Sequence, residues 1–568
     1  MSAAVSPKPR QGGRILVDQL AIQGCRRVFV VPGESYLPVL DALYQHEQID
    51  TIVCRQEGGA AMMAEAHAKL TGSVGVCMVT RGPGATNASA GVHVAMQDST
   101  PMLLLIGQVE TGIRDREAFQ EVDYRQMFAP LAKWVAEVDS IERLPEYLSR
   151  AYYQALSGRP GPVVLALPED VLFGMAACED CLPAEPALAL PDTASSQHLL
   201  AKLAVAERPA IIVGGPRWSE AAGQALLAFA EHNQIGVCTS MRCKDYVDNS
   251  HPCYMGDLGI NASPALQQWL SEADVILVLG ARLGEMTSQS YQLFSIPNPT
   301  QQLIHVMPDS AELGRVYRPA LALQACPEVL SRQLGEQLLP LSASQKRSWQ
   351  WRVKQQREAY EGFIQVQPLP GKLRWSEAIL TLQEQLQEDA ILCNGAGNYA
   401  AFLHRFYQHR RYRTQLAPTS GSMGYGLPAA VAAALAAPRR QVVCVAGDGC
   451  LLMHGQELAT AVQYGVKMLV IVVNNGHFGT IRMHQEKHYP GRVMATQLHN
   501  PDFVAWGRSF GAWAALVQQQ DEFAGALAEA LAQPGPALLE LQVEIEALTP
   551  ARTLSQIRAE SLARQGQS

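Results

Sequence analysis

The sequence has no stretch approaching the roughly 18 consecutive apolar residues that a membrane helix requires. Its most apolar run, MLVIVV at 468–473, has the length of a strand. Positive charge is not in excess: 45 Lys and Arg stand against 53 Asp and Glu, a formal charge of −8. That leaves no electrostatic footprint for nucleic acid. The opening residues MSAAVSPKPRQGG hold no apolar segment of the kind that directs secretion, so a cytoplasmic location is expected. Twelve cysteines in 568 residues are too sparse for a disulfide framework. The close pair Cys178 and Cys181 lacks a second pair to complete a zinc site and reads as an incidental spacing. Charged residues are 17% and hydrophobic residues 48%, which excludes disorder and gives enough apolar material for several cores.

One pattern recurs along the chain. Short β-branched runs end in Gly or polar residues, and ten or more residues of helical periodicity follow. RRVFVVPG (26–33), PMLLLIG (101–107) and PVVLALP (162–168) show it first, then PAIIVGG (209–215) and DVILVLG (274–280), then QVVCVAGDG (441–449) and KMLVIVVNN (467–475). Continuous apolar strands alternating with helices imply parallel sheets covered on both faces. The expected class is α/β with three doubly wound parallel-sheet domains. Two stretches break the alternation and read as linkers: the Pro- and Ala-rich 181–197, and the polar, Gln-rich 336–373. The expected domains are therefore 13–178, 195–335 and 370–550. Ligands of open α/β sheets bind at the carboxyl ends of strands, so the Gly-rich exits are where chemistry is sought.

The most informative exits are Gly447-Asp448-Gly449 and Asn474-Asn475. The spacing between them fits one helix and one strand, which places both exits side by side on one sheet edge. Asp448 offers a hard carboxylate oxygen and Asn475 a hard amide oxygen, and the glycines allow a phosphorylated ligand to approach the backbone. Such a set suits Mg²⁺ held by one or two protein oxygens plus phosphates. A lone Gly-Asp-Gly is more often a turn; the paired Asn motif, closing a second apolar strand, gives it weight. Together they resemble the motif of thiamine-diphosphate-dependent enzymes. The resemblance implies Mg²⁺ ligation by Asp448, Asn475 and the backbone carbonyl of His477, with Gly447, Gly449 and Cys450 beside the diphosphate. NGAGNYA (394–400) resembles the second diphosphate loop, which brings in Gly395, Asn398 and Tyr399. PTSGSMGYG (418–426) resembles the segment around Gly421 whose Met423 wedges beneath the cofactor; on its own Met423 reads as core.

Glu57 opens the Ala-rich helix in RQEGGAAMMAEAHAKLTG (55–72). A Glu at a helix start is usually a favourable partner of the helix dipole. The family resemblance implies more: contact with the aminopyrimidine nitrogen of the cofactor, promoting deprotonation of the thiazolium carbon. A raised carboxyl pKa would suit that proton sharing.

VTRGPGATNASAGVHVAMQDSTPMLLLIGQV (79–109) and EAFQEVD (117–123) resemble acetolactate synthase large subunits, over roughly 13–550. That implies Gln120 near the reacting centre with Phe119 lining the pocket. There is no adjacent His-His pair, a feature of the pyruvate-decarboxylase branch, so carboligation is favoured. The expected activity is a transferase reaction: a 2-keto acid such as pyruvate loses CO₂, and the resulting enamine adds to a second carbonyl compound. A lyase or keto-acid decarboxylase, or a non-catalytic relative, is the alternative. Three positions depart from the acetolactate synthase pattern. Glu34 follows Gly33 where those enzymes have Gly-Gly, His484 stands where they carry Trp, and HVMPDS with QACPEV lacks the acidic positions of their flavin segment. FAD remains possible through GDLG (256–259) and GAR (280–282), but little or no flavin is expected. A carboxylate at Glu34 would disfavour an anionic acceptor, unless it pairs with Arg55 or Arg81. The expected partners are small molecules and a second copy of the chain, in at least a homodimer.

Overall fold

The computed structural model describes residues 8–565. Its frame is three six-stranded sheets, every neighbouring pair of strands parallel, and a two-stranded antiparallel ribbon joining Arg10–Gln11 to Met175–Ala176. The first sheet runs Asp50–Val53, Arg27–Val30, Gly75–Val79, Met102–Gln108, Pro162–Pro168, Trp134–Glu137. The third runs Gln415–Leu416, Ile391–Asn394, Val442–Gly447, Leu469–Asn474, Ala537–Gln542, Trp513–Val517. Numbered within each sheet, both have the order 2-1-3-4-6-5. The second sheet, Tyr254–Leu258, Gly236–Ser240, Pro209–Val213, Val275–Leu279, Gln302–Met307, Leu321–Gln324, has the order 3-2-1-4-5-6. Central strands such as Met102–Gln108 and Val442–Gly447 are buried along their whole length. Their unbroken apolar runs are what a sheet covered on both faces requires.

The chain divides into two compact units. One comprises the residues up to Ala187 with Pro418–Pro438 and His454–Val466; the other comprises Leu188–Ala417, Arg439–Met453 and the chain from Lys467 onward. Two pieces of the C-terminal third therefore pack with the N-terminal part. The Gln-rich stretch read as a linker instead contains the helix Ala343–Phe363, opened by a capping box of Ser342 and Gln345. Trp349, Val353, Gln356 and Tyr360 form its buried stripe. Arg10 and Gln19 hold the segment that contains Cys178 and Cys181 by hydrogen bonds to its backbone. Both cysteines are free thiols. Among the described residues no cluster of three or more His, Cys, Asp or Glu could hold a metal, and no helix is long and apolar enough to cross a membrane.

Candidate active site

In a 2-1-3-4-6-5 sheet the order reverses between its first and third strands, and the crevice outside their carboxyl ends is the expected binding place. In the third sheet those exits are Gly395 and Gly447-Asp448. Strand Val442–Gly447 pairs with Leu469–Asn474, Gly447 lying opposite Val473, so the two motifs are neighbours. Asp448 is 3% exposed. Its Oδ2 accepts the N–H of Gly476 at 2.9 Å and the amide of Asn500 at 2.7 Å. Burial pushes the Asp448 carboxyl up from the ordinary aspartate value, and the hydrogen bonds from Asn500 and the backbone of Gly449 and Gly476 oppose that shift. The helix after the motif, Asp448–Leu451, is only one turn.

The two asparagines have separate tasks. Asn474 donates to buried Glu540 at 2.8 Å and accepts from Gly476 and Asn500 at 3.1 and 3.0 Å, which locks the turn. Asn475 Oδ1 accepts the N–H of His477 at 3.0 Å, and His477 Nδ1 lies 2.9 Å from the Asn475 carbonyl. Gly476 sits at φ +68°, a conformation that glycine adopts without strain. Residues 496–498 run alongside this turn through hydrogen bonds Phe478 N to Thr496 O and Leu498 N to Gly476 O, and they deliver Asn500 to Asp448.

At the other exit, the Gly395 carbonyl accepts from Arg242 at 3.1 Å. The ring of buried Tyr399 lies against Gly447, and its hydroxyl donates to Cys450 Sγ at 3.3 Å. Asn398 donates to the Leu548 carbonyl at 3.0 Å and accepts from Thr480 at 2.9 Å, so its amide ties down the C-terminal segment. His484 lies on helix Gly479–His488, stacked on His488 with ring centres 6.1 Å apart.

The first unit holds Glu57, Glu34, Gln120, Gly421 and Met423. Helix Glu57–Thr71 is Ala-rich, begins at Gln56, whose side chain accepts the N–H of Gly59, and ends at left-handed Gly72. Glu57 is half-buried, and Asn87 donates to its Oε2 at 3.0 Å. Met423 is half-buried in a turn between Gly421 and Gly424, both at positive φ. Asp98 fixes that turn by accepting the Thr419 N–H at 2.7 Å, and fully buried Glu65 accepts the Tyr425 hydroxyl.

At the reversal point of the first sheet, the exits are 31–34 and 80–83. Ser35 and Thr80 bridge them, hydroxyl to hydroxyl, at 2.9 Å. Gln120, at φ +65°, packs against Gly82. Phe119 is 77% exposed. Glu34 is exposed, and neither cation considered for it is its partner. Arg81 pairs with Glu169 and donates from Nε to the Phe119 carbonyl at 3.0 Å, while Arg55 donates to Gln463 and to the Val53 carbonyl.

Asn87, Glu457 and Asn500 have roles at these exits that sequence reasoning missed. Asn87 was visible in GPGATN as an amide in an otherwise small-residue helix start; the others carry no local signal.

In the second sheet the order reverses between Pro209–Val213 and Val275–Leu279. There a methyl group on Gly215 would stand 1.9 Å from the Gly280 carbonyl oxygen. Trp218 and Tyr246 already donate to the carbonyls of Gly214 and Gly215, at 2.9 and 2.7 Å.

Family models of thiamine pyrophosphate enzymes match the chain in order. The N-terminal TPP binding domain matches residues 10–127, the central domain 196–334 and the C-terminal TPP binding domain 395–541. The chain belongs to the thiamine pyrophosphate enzyme family. Among its relatives, the acetolactate synthase isozyme 1 large subunit of Escherichia coli is 33% identical over 548 residues, 94% of each chain. The probable acetolactate synthase large subunit of Methanocaldococcus jannaschii is 31% identical over 549 residues, 94% of this chain and 92% of the relative. The acetolactate synthase large subunit of Lactococcus lactis is 32% identical over 520 residues, 89% of this chain and 88% of the relative. The α/β class with three parallel sheets is that of a thiamine pyrophosphate enzyme resembling acetolactate synthase.

The third-sheet exit fits the divalent metal that this family implies. Asp448 is a buried carboxylate whose hydrogen-bond donors are all neutral, with no ion pair among the described residues. Hard oxygen donors without a resident cation are what Mg²⁺ requires.

Proposed function

We propose that the chain is a thiamine-diphosphate- and Mg²⁺-dependent carboligase of the acetolactate synthase type. It decarboxylates a 2-keto acid, pyruvate in the first instance, and joins the remaining fragment to a second carbonyl compound. The observation that carries this is Asp448, buried and with no cation partner among the described residues, at the exit next to that of Asn475. In this reading Asp448, Asn475 and the His477 carbonyl hold Mg²⁺. Gly395, Asn398, Tyr399, Gly447, Gly449 and Cys450 form the diphosphate loops, while Gly421 and Met423 support the cofactor. Bound thiamine diphosphate supplies a carbanion-stabilising thiazolium carbon. Glu57 holds a proton against the aminopyrimidine nitrogen, and Gln120 orients the reacting carbonyl. The domains are 13–178, 195–335 and 370–550. The active form is at least a homodimer in which the Glu57 domain of one copy completes the site of the other, and it works in the cytoplasm. Flavin has no part in the chemistry.

Glu34 sets the acceptor. Arg81 and Arg55 have other partners, so the Glu34 charge is left uncompensated by them. A carboxylate about 4 Å away would be repelled by roughly 4 kcal/mol at an effective dielectric of 20. An uncharged or amine-bearing carbonyl acceptor is therefore favoured over a second pyruvate. CO₂ release from a panel of 2-keto acids, with and without cofactor and Mg²⁺ and with products identified, tests the function. No cofactor-dependent release from any keto acid refutes it. Glu34→Gly is expected to raise acetolactate formed from pyruvate alone; an unchanged yield refutes the acceptor assignment.

A further inference from the structure

Glu57 is held from two sides. On the side-chain face, Asn87 projects from helix Pro83–Asp98, which packs along helix Glu57–Thr71, and donates to Oε2 at 3.0 Å. Oε1 receives no hydrogen bond among the described residues and lies over Gly84, where a methyl group would stand 3.4 Å away. On the backbone face, the side chain of Glu457 is fully buried. It accepts the N–H of Arg55 at 3.1 Å, the N–H of Gln56 at 2.9 Å and the Thr460 hydroxyl at 2.6 Å. Gly59 makes this approach feasible, because a methyl group there would stand 2.7 Å from Glu457 Oε1. The two residues before Glu57 are therefore fixed by a carboxylate that lies some 400 positions later in the chain.

We infer that Asn87 and Glu457 are positioning residues that dedicate Oε1 of Glu57 to proton exchange, a deduction that rests on the catalytic reading of Glu57. An amide N–H takes one lone pair of Oε2, and protonating that oxygen would weaken it as the acceptor of Asn87, whereas Oε1 has both lone pairs open. Glu57 therefore gives its proton from Oε1 to the aminopyrimidine nitrogen and takes it back there, with no net change in protons. The Asn87 N–H is matched to the ionised carboxylate, which accepts it more strongly than a carboxylic acid would. Among the groups around Glu57, burial pushes Tyr36 and Cys77 up and His454 down, and it raises Glu457 against the opposing hydrogen bonds from Thr460 and the backbone of Arg55 and Gln56.

The test begins with the cofactor-free protein. Infrared difference spectroscopy at fixed pH against Glu57→Gln isolates the Glu57 carboxylate. Asn87→Ala is expected to shift its antisymmetric stretch, because Oε2 loses its donor and the two oxygens become alike. Asn87→Asp, of the same shape but without the N–H, should shift it as well, and Asn87→Gln should restore part of the wild-type frequency. Unmoved bands in Asn87→Ala and Asn87→Asp overturn the assignment; if Asn87→Ala does not fold, Asn87→Asp decides alone. Glu457→Gln is expected to leave affinity for thiamine diphosphate with Mg²⁺ within about threefold while turnover falls about tenfold. Equal losses of affinity and turnover overturn its positioning role. Wild-type turnover in Glu57→Gln would instead refute the catalytic reading of Glu57, and the infrared arm would still decide what Asn87 does.

Discussion

The first and third sheets share one strand order, yet the carboxylates near their exits are partnered in opposite ways. Around the first, several acidic side chains are matched to donors or cations within the unit, whereas exposed Glu34 is paired with neither Arg55 nor Arg81. Glu169 pairs with Arg81, Glu457 accepts backbone N–H groups, and Glu57 Oε1 has no hydrogen bond among the described residues. At the third exit, Asp448 is buried among neutral donors alone. On the proposed reading, the same topology serves an acid–base group with an open oxygen in one place and a cation seat in the other. What separates them is whether the neighbouring loops bring donors alone or donors and cations.

The comparison can be broken at either end. Glu57→Gln should lower turnover by about a thousandfold while cofactor affinity stays near wild type, since general acid–base groups contribute on that scale. Steady-state kinetics at saturating cofactor checks it, and near-normal turnover would put Glu57 in the same structural class as Glu457. Asp448→Ala should weaken cofactor binding in the presence of Mg²⁺ by about a hundredfold. Calorimetric titration reads this directly, and an unchanged affinity would show that the exit is not a cation seat.

Asp98→Asn should give a smaller effect. Thr419 and Lys69 lose a charged acceptor, which costs about 1–2 kcal/mol in a urea titration. The turn carrying Met423 loosens with it, so cofactor affinity should fall by less than about tenfold.

The smallest effect concerns acid stability. Arg558 holds the Glu486 carboxyl down to about 2, with the Gly491 N–H and Arg482 adding to it, against an ordinary value of 4.5. A depressed carboxylate stabilises the fold above about pH 4.5, and the contribution is lost as the pH falls toward 2. Glu486→Gln should remove at most about 3 kcal/mol of that dependence. Acid unfolding curves that superimpose for mutant and wild type would show that the pair is inert.

Much of this was readable before any coordinates. The strands Val442–Gly447 and Leu469–Asn474 are written as unbroken apolar runs, and the polar residues that close them fall at adjacent exits. Helix Ala343–Phe363 was not read, although Trp349, Val353 and Tyr360 stand at helical spacing, because the Gln, Arg and Lys between them dominate the composition. Asn500 and Glu457 were beyond reach for a different reason. Periodicity describes which face of one element is apolar; it says nothing about a hydrogen bond to a loop elsewhere in the chain. The separate tasks of Asn474 and Asn475 were hidden likewise, since only the position of Glu540 tells them apart.

The first unit is assembled from segments that the ribosome delivers at very different times. Its six-stranded sheet is complete by Pro168, but Pro418–Pro438 and His454–Val466, which include the helix Gly426–Ala436 packed on helix Glu57–Thr71, come much later. At roughly 5–20 residues per second, tens of seconds pass between the two. Throughout that interval the nascent N-terminal part carries an apolar helix face without its cover. Its last packing step is therefore post-synthetic in character, and slowed translation between Ala187 and Pro418 prolongs the period in which this chain is most open to aggregation and to chaperones.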